Sequence, residues 1–356
     1  MATFDQRESG YWQAKIRRKG HPVQSKTFRT KTDAESWARS IENEMDRGVF
    51  VNRAEAESTT MGEALTRYGR EVSATKKGHE QEKRRISLWQ SNPLARRSLA
   101  SLRPADFAKY KDDRLAAGTA AATIRNDLAL ISHLFTICQK EWGIHVQNHV
   151  GQIRLPRAQN ARTRRLMDDE YDRINVAFAS AEEAGGGGHT NIWMQPAFDL
   201  SIETAMRRGE LLSLKWKDID LSDQVAHLRK TKNGVARDVP LSMAAVAVLR
   251  ALPRAINGCV IDTTDSSISQ SWRRCVDRAR RTYEQELMDM GKSESEIDAD
   301  KLLTDLTWHD LRHEATSRLA DLLQLHELMK VTGHKDTRML ARYYHPRAGD
   351  LAKKLG

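Results

Sequence analysis

The stretch Thr307-Trp308-His309-Asp310-Leu311-Arg312-His313 decides how the rest of this sequence is interpreted. It places His309 and Arg312 three residues apart, a spacing that brings two side chains onto one face of a helix. Met206-Arg207-Arg208-Gly209-Glu210-Leu211 places Arg207 and Glu210 at the same spacing. Taken singly, the second pair is explained by a surface ion pair worth about 0.2–0.5 kcal/mol. A lone histidine is likewise more often structural than catalytic, so the meaning of both motifs depends on what accompanies them.

Two further features accompany them. Residues 216–240 carry strand signals around the turn Lys232-Asn233-Gly234, and Asn-Gly between alternating runs is the strongest short-range hairpin signal. His334 lies nine residues before Tyr343. Tyr344, the next residue, competes with Tyr343 as the candidate reactive tyrosine. In chain order, the motif with Arg207 is therefore followed by the hairpin lysine, the motif with His309, a further histidine and a tyrosine.

Together, these motifs resemble the signature of the tyrosine recombinases, and in particular of the phage and integrative-element integrases. Five separated motifs carry the resemblance: Met206–Leu211, Lys232, His309–His313, Gly333-His334-Lys335 and Arg342-Tyr343. The resemblance extends over nearly the whole chain, and it is more specific at the C-terminal end than at the N-terminal end.

The resemblance implies a role for each matching residue. Arg207 and Arg312 resemble the two arginines that grip the scissile phosphate, and Glu210 resembles the acidic residue that orients the site. His334 resembles the residue that hydrogen-bonds the phosphate. Tyr343 resembles the nucleophile.

Two proton-transfer roles follow in the same way. Lys232 resembles the hairpin lysine that protonates the leaving 5′ oxygen, and His309 occupies a position associated with proton handling. The chemistry needs these types of residue, because a poor alkoxide leaving group requires a general acid and a tyrosine with a pKa near ~10 requires activation. Arginines supply permanently charged bidentate donors to the phosphate and stabilise the charge that develops on it. No Asp/Glu cluster resembles a two-metal nuclease site, so we expect neither a metal nor another cofactor.

The net charge of +10 favours a polyanionic partner, and the charge is unevenly distributed. Residues 59–165 carry 20 Lys/Arg and 9 Asp/Glu, whereas residues 1–58 carry 11 and 9 and residues 166–356 carry 27 and 30. We interpret the middle segment as a clamp on DNA phosphates; the alternative is an ordinary Arg-rich surface. The candidate DNA contacts are Arg17, Arg18, Lys19, Lys76, Lys77, Arg84, Arg85, Arg96 and Arg97.

The N-terminal segment reads as a small sheet followed by a helix. Strands are predicted at Thr3–Arg7, Tyr11–Arg17 and Val23–Phe28, and a capping box at Thr32 with Glu35 predicts a helix start. Ala34, Trp37, Ala38 and Ile41 would form its apolar face. A protein-interaction module is the alternative to DNA binding for this segment.

The middle of the chain is predicted to be almost wholly helical. Ile124, Leu128, Ile131, Phe135 and Cys138 keep a helical period and are predicted to be buried. Arg154–Arg165 has five arginines and no periodicity, and we interpret it as an inter-domain linker that lies along DNA. The acidic stretch 284–305, with eight carboxylates against two lysines, is longer than the resemblance leads us to expect and is either a surface insertion or a helix extension.

The predicted fold class is mainly α with small β-sheets (α+β). We expect an arm-type DNA-binding domain at 1–57 (a three-stranded sheet plus a helix), a helical core-binding, SAM-like domain at 58–155, a basic linker at 156–165 and a mixed α/β catalytic domain at 166–356. The three cysteines have no CxxC spacing, the start of the chain has no apolar signal-peptide core, and no stretch approaches a membrane helix, so a cytoplasmic location near the bacterial nucleoid is expected.

The predicted function is site-specific recombination, in which DNA strands are cut and rejoined through a covalent 3′-phosphotyrosine to integrate or excise a prophage or another mobile genetic element. The resemblance implies double-stranded attachment sites as substrate, a homotetramer on DNA, and DNA-bending or excision proteins as accessory partners. The alternatives are a type IB topoisomerase-like relaxing enzyme and a catalytically inactive DNA-binding regulator. A three-segment layout argues against the former, and the intact set of six candidate catalytic residues argues against the latter.

Overall fold

The computed structural model describes residues 2–48, 50, 53–157, 162, 164–167, 169–183, 191–229, 235–341 and 343. The chain divides into two compact units, residues 1–161 and 162–356. None of the described helices is long and apolar enough to cross a membrane.

The first unit opens with an antiparallel sheet of order β1-β2-β3, formed by Ala2–Gln6, Trp12–Ile16 and Gln24–Phe28. Its register pairs Ala2 with Ile16 and Trp12 with Phe28. The helix α1 (Lys31–Asp46) packs its alanines against Ile16, because small side chains let helix and sheet approach closely. The predicted apolar face is confirmed, since Ala34 and Ala38 are buried.

The predicted start of this helix was wrong by two residues. Thr30, not Thr32, is the N-cap, and its hydroxyl accepts a hydrogen bond from the backbone N–H of Asp33 at 3.1 Å. Thr30 with Asp33 and Thr32 with Glu35 offer the same spacing, and the chain uses the first of the two.

The remainder of the first unit is helical and has its own core. Its helices are α2 (Ala54–Ser58), α3 (Met61–Glu71), α4 (His79–Gln90), α5 (Pro104–Ala116) and α6 (Ala121–Lys140). The central helix α6 buries all five positions predicted from its period, each with 0% exposure.

The second unit is mostly helical around one small antiparallel sheet of order β4-β5-β6. The strands are Ile219–Asp220, Val225–Leu228 and Arg237–Pro240. The helices are α7 (Glu170–Glu183), α8 (Met194–Thr204), α9 (Arg208–Ser213), α10 (Met243–Ala251), α11 (Asp265–Asp289), α12 (Glu294–Ala299), α13 (Trp308–Leu322), α14 (Leu325–Thr332) and α15 (Thr337–Ala341). The mainly α fold with two small sheets confirms the predicted fold class.

The acidic stretch 284–305 begins as a helix extension, because α11 continues to Asp289 before the short helix α12. Arg280 fastens the stretch by donating hydrogen bonds to the backbone carbonyls of Ile297 and Leu302 at 2.7 and 2.8 Å. The Tyr283 hydroxyl donates to Asp300 at 2.9 Å. The acidic stretch is therefore held against α11 by side chains of that helix.

Candidate active site

The centre of the site is a carboxylate gripped by two arginines. Arg207 is the N-cap of α9, and Glu210 accepts both its backbone N–H and its Nη1, each at 2.9 Å. Arg237, the first residue of β6, donates Nη1 and Nη2 to the two oxygens of the same carboxylate at 2.9 and 2.7 Å. Glu210 is only 4% exposed. This geometry is a bidentate ion pair plus a capping box on one buried carboxylate.

The second arginine of the signature is buried between the ends of two helices. Arg312 on α13 donates Nη1 to the carbonyl of Ala205 and Nη2 to the carbonyl of Thr332 at 2.6 Å. Ala205 ends α8 in the left-handed conformation, with φ 52°, which turns its carbonyl toward the guanidinium. A guanidinium carries five N–H donors, so two carbonyls can orient Arg312 while the same group still donates to a phosphate.

These contacts shift the pKa values of the two central groups. Burial alone would raise the pKa of Glu210, but the hydrogen bonds from Arg237 and from the N–H of Arg207, with the charges of both arginines, lower it to about 2. Burial, with the charges of Arg207 and Arg237, lowers the pKa of Arg312 to about 9 against the opposing effects of Glu210 and Tyr343. The pocket therefore holds three guanidiniums around one carboxylate and has an excess of positive charge suited to an anion.

The tyrosine contacts a histidine of α13. The hydroxyl of Tyr343 is hydrogen-bonded to Nδ1 of His313, and the two rings stack with centroids 5.6 Å apart. Tyr343 also packs against the small apolar cluster that includes Leu328 and Leu340. His309, one turn before His313, meets it edge-to-face with centroids 4.9 Å apart. His309 and Arg312 also line one pocket of about 260 Å³.

His334 follows a tight turn that closes the site. Its Nδ1 lies 2.7 Å from the hydroxyl of Thr332, the residue whose carbonyl accepts Arg312. Gly333 has φ 68°, a conformation that favours glycine. A Cβ at Gly333 would lie 3.1 Å from Nη1 of Arg237, so the turn and that arginine pack closely.

The structure thus brings together Arg207, Glu210, His309, Arg312, His334 and Tyr343 in one network. Lys232, with the predicted Lys232–Gly234 turn, lies outside the described residues, and so does the alternative tyrosine Tyr344.

Sequence reasoning missed two residues of this network, Arg237 and His313. His313 did carry a signal, because it stands four residues after His309 and so shares its helical face. Arg237 carried none, because its partner Glu210 lies 27 positions away on another element.

Among the candidate DNA contacts of the middle segment, each basic pair has one exposed residue and one residue that forms an ion pair with a carboxylate. Lys77, Arg84 and Arg96 are exposed. Their neighbours are ion-paired, Lys76 with Glu82 at 2.8 Å, Arg85 with Asp127 at 3.7 Å and Arg97 with Asp106 at 2.7 Å. In the N-terminal sheet domain, Arg17, Arg18 and Lys19 are exposed, and Arg18 pairs with Asp46.

Comparisons with known proteins identify the family of this chain. The phage integrase family model matches residues 164–349, more than half of the chain. The shufflon-specific DNA recombinase of Escherichia coli is 37% identical over 305 residues, which cover 83% of this chain and 71% of that protein. A putative integrase/recombinase of Haemophilus influenzae is 30% identical over 343 residues, which cover 96% of this chain and 86% of that protein.

Solved structures show the same fold. A lambda integrase tetramer bound to a Holliday junction matches with a TM-score of 0.60 at 19% identity, over 97% of this chain and 95% of that chain. The Tn1549 transposon integrase in complex with circular intermediate DNA matches with a TM-score of 0.61 at 17% identity, over 84% and 100% of the two chains.

The family model and these relatives define the class as that of the tyrosine-type site-specific DNA recombinases. The chain belongs to the phage integrase family. These relatives favour neither the relaxing enzyme nor the inactive regulator that the sequence had left as alternatives.

Proposed function

We propose that this recombinase breaks a DNA strand by attack of Tyr343 on a phosphodiester held by Arg207 and Arg312. The observation that carries the proposal is the hydrogen bond between the hydroxyl of Tyr343 and Nδ1 of His313, on the helix that also bears Arg312. It supports the proposal because the tyrosine hydroxyl contacts a group able to accept its proton, on the helix that carries Arg312.

The pocket would serve the phosphate in two ways. Arg207 and Arg312 would donate to the non-bridging oxygens, and their charges would stabilise the five-coordinate transition state. Glu210, gripped by Arg237, would fix the direction in which Arg207 points. His334 would add a hydrogen bond to the same phosphate.

In the cleavage step, a bond forms between the tyrosine oxygen and phosphorus, and the bond from phosphorus to the 5′ oxygen breaks. The phenolic proton passes to a histidine, for which His313 has the hydrogen bond and His309 the adjacent position. Lys232 would protonate the leaving 5′ oxygen. The products are a 3′-phosphotyrosine and a free 5′ hydroxyl, and attack by a 5′ hydroxyl of another strand reverses the step and rejoins the DNA.

The wider assignment follows from the relatives. We propose double-stranded attachment sites as substrate and a homotetramer as the active assembly, a proposal supported by the similarity to a lambda integrase tetramer bound to a Holliday junction. Action on chromosomal DNA would place the enzyme in the cytoplasm of its bacterial host. Integration and excision of the encoding mobile element, with accessory DNA-bending or excision proteins, complete the proposal.

A suicide-substrate assay tests the chemistry. Nicked duplexes tiled across the DNA that flanks the encoding gene are incubated with wild type in EDTA, and covalent adducts are resolved on a denaturing protein gel. Wild type should give a shifted band, since the nick lets the short fragment that bears the freed 5′ hydroxyl diffuse away, which traps the phosphotyrosine.

Two matched variants identify the nucleophile. Tyr343→Phe should bind the same duplex and give no adduct, whereas Tyr344→Phe should still give one. An adduct with Tyr343→Phe but not with Tyr344→Phe would move the nucleophile by one residue. Failure of wild type to form an adduct on any of the tiled duplexes would count against the proposed chemistry.

A further inference from the structure

Arginines at the start of the second unit form ion pairs with buried carboxylates, two of which lie on α13. The sequence predicted that Arg154–Arg165 lies along DNA, but three of its arginines instead contact buried carboxylates of the second unit. These pairs are Arg162 with Asp310, Arg164 with Glu170, and Arg165 with Glu314. Two of the three carboxylates lie on α13, the helix that carries His309, Arg312 and His313.

The pair formed by Arg162 has the geometry of a strong ion pair. Its Nε and Nη2 donate to the two oxygens of Asp310 at 2.6 and 2.8 Å. Asp310 has 0% exposure and also accepts the N–H and hydroxyl of Thr307 at 2.7 and 2.8 Å, which caps α13. Arg162 reaches further to Asp305 with Nη1 at 3.0 Å. Arg162 therefore fixes the first turn of α13 and the loop that leads into it.

Arg165 repeats the contact one turn later. Its Nε donates to Glu314 at 3.0 Å, and Glu314 is 5% exposed. Asp310 and Glu314 stand four residues apart and share a helical face, whereas Arg312 stands two residues from each and points to another side. The helix is thus held on one face and presents its arginine on a different one.

We propose that Arg162 and Arg165 are positioning residues for DNA cleavage, which hold α13 in the place where Arg312, His309 and His313 meet the scissile phosphate and the tyrosine. This inference rests on the proposed function. It assigns these two arginines to the reaction although neither reaches the reacting atoms. Arg162 is also the first residue of the second unit. The second unit therefore begins at a residue that is ion-paired with α13.

The rate of adduct formation at saturating DNA tests the proposal. Displacement of a catalytic group by about 1 Å can slow a reaction about 100-fold. We expect Arg162→Gln to slow adduct formation about 10- to 100-fold while the DNA concentration at half-maximal rate stays within about two-fold. Arg162→Lys, which keeps the charge but not the fork, should recover part of the rate.

Arg164→Gln is the matched control. It removes an ion pair of the same segment to an equally buried carboxylate, but Glu170 lies on α7, which carries none of the candidate catalytic residues. It should lower the melting temperature as Arg162→Gln does and keep the rate near that of wild type. Equal loss of rate in both variants would overturn the proposal, because the effect would then be general destabilisation.

A double variant keeps the test independent of folding. Asp310→Asn should slow adduct formation as Arg162→Gln does, and the two together should be no slower than either alone, because both remove one interaction. Multiplied defects, or a rate within two-fold of wild type for folded Arg162→Gln, would refute the positioning role. If wild type and these variants form adducts at the same rate, only this inference fails; if wild type forms none, the proposed function fails.

Discussion

Substitution of Arg237 by glutamine is the sharpest test of how the site is held together. Arg237 is largely buried, with a side-chain exposure of 8%, and it satisfies both oxygens of Glu210. Glutamine removes the positive charge and the bidentate fork but keeps a polar side chain. Glu210 would keep Arg207 as its remaining charged partner in this network.

The ion pair of Arg237 with Glu210 should account for about 3 kcal/mol of the protein's stability. Removal of one partner from a buried ion pair destabilises a protein by about 3–5 kcal/mol. The pKa of Glu210 is lowered from 4.5 to about 2, which corresponds to about 3 kcal/mol of stability shared between Arg237 and the N–H and charge of Arg207. Because the folded-state pKa is depressed, this stability is present above pH 4.5 and is lost as the pH falls toward 2. For a unit of this size, such a loss lowers the melting temperature by roughly 10 °C.

Calorimetry of the full chain at pH 7 and at pH 3 measures both effects. Arg237→Gln should melt well below wild type at pH 7, and the difference should shrink at low pH, where Glu210 begins to lose its charge in wild type too. Arg273→Gln is the matched control, since Arg273 pairs with Asp277 at 3.8 Å and both side chains are exposed, by 85% and 60%. An exposed pair contributes about 0.2–1 kcal/mol, so this variant should melt close to wild type.

One result would refute the reasoning. If the free energy of unfolding of Arg237→Gln lies within about 1 kcal/mol of wild type at pH 7 and has the same pH dependence, Arg237 does not stabilise the charged form of Glu210. The low pKa of that carboxyl group would then have to come from Arg207 alone.

Two further predictions concern the same unit. Ala205 adopts φ 52°, which is unfavourable by about 1–2 kcal/mol for a residue with a Cβ, so Ala205→Gly should stabilise the protein by about 0.5–1 kcal/mol after the added flexibility of the unfolded chain is subtracted. Urea unfolding measures this gain, and a loss of stability would contradict the strain. Burial raises the pKa of Asp199 to about 6, against a hydrogen bond from Tyr171. A raised pKa stabilises the folded protein below the unfolded-state pKa, and this stability is lost as the pH rises through 6. The melting temperature of Asp199→Asn should therefore rise relative to that of wild type between pH 4 and pH 7. A constant difference in melting temperature over that range would contradict the shift.

Sequence reasoning succeeded where one element contains the whole pattern. His309 and Arg312 are three residues apart within α13, so the helical repeat alone places them close together. Arg207 and Glu210 have the same spacing but meet through a capping box, because Arg207 is the N-cap of α9. The buried face of α6 follows from the same repeat, since hydrophobic side chains at that period can leave water together.

It failed where the partner comes from a distant part of the chain. Arg162 and Asp310 are 148 positions apart, and nothing in the linker's composition distinguishes an arginine that binds a carboxylate from one that binds a phosphate. Arg237 likewise lies in an ordinary strand pattern, which does not reveal that its partner Glu210 lies on α9. Such contacts are fixed by how elements pack, which local spacing does not encode.

The electrostatics of the pocket link its folding to its substrate. Glu210 offsets one of the three charges of Arg207, Arg237 and Arg312, so the arginines still repel one another, and burial together with this repulsion lowers the pKa of Arg312. A phosphodiester brings the missing negative charge, so DNA binding should relieve this repulsion and stabilise the folded second unit by mass action. The same charge excess becomes most useful when further negative charge develops on the phosphate, because the arginines are already fixed by carbonyls and by Glu210 and need not reorganise. The electrostatic free energy of the pocket is therefore highest in the empty enzyme and lowest in the transition state. An enzyme that stabilises the transition state more than the ground state speeds the reaction.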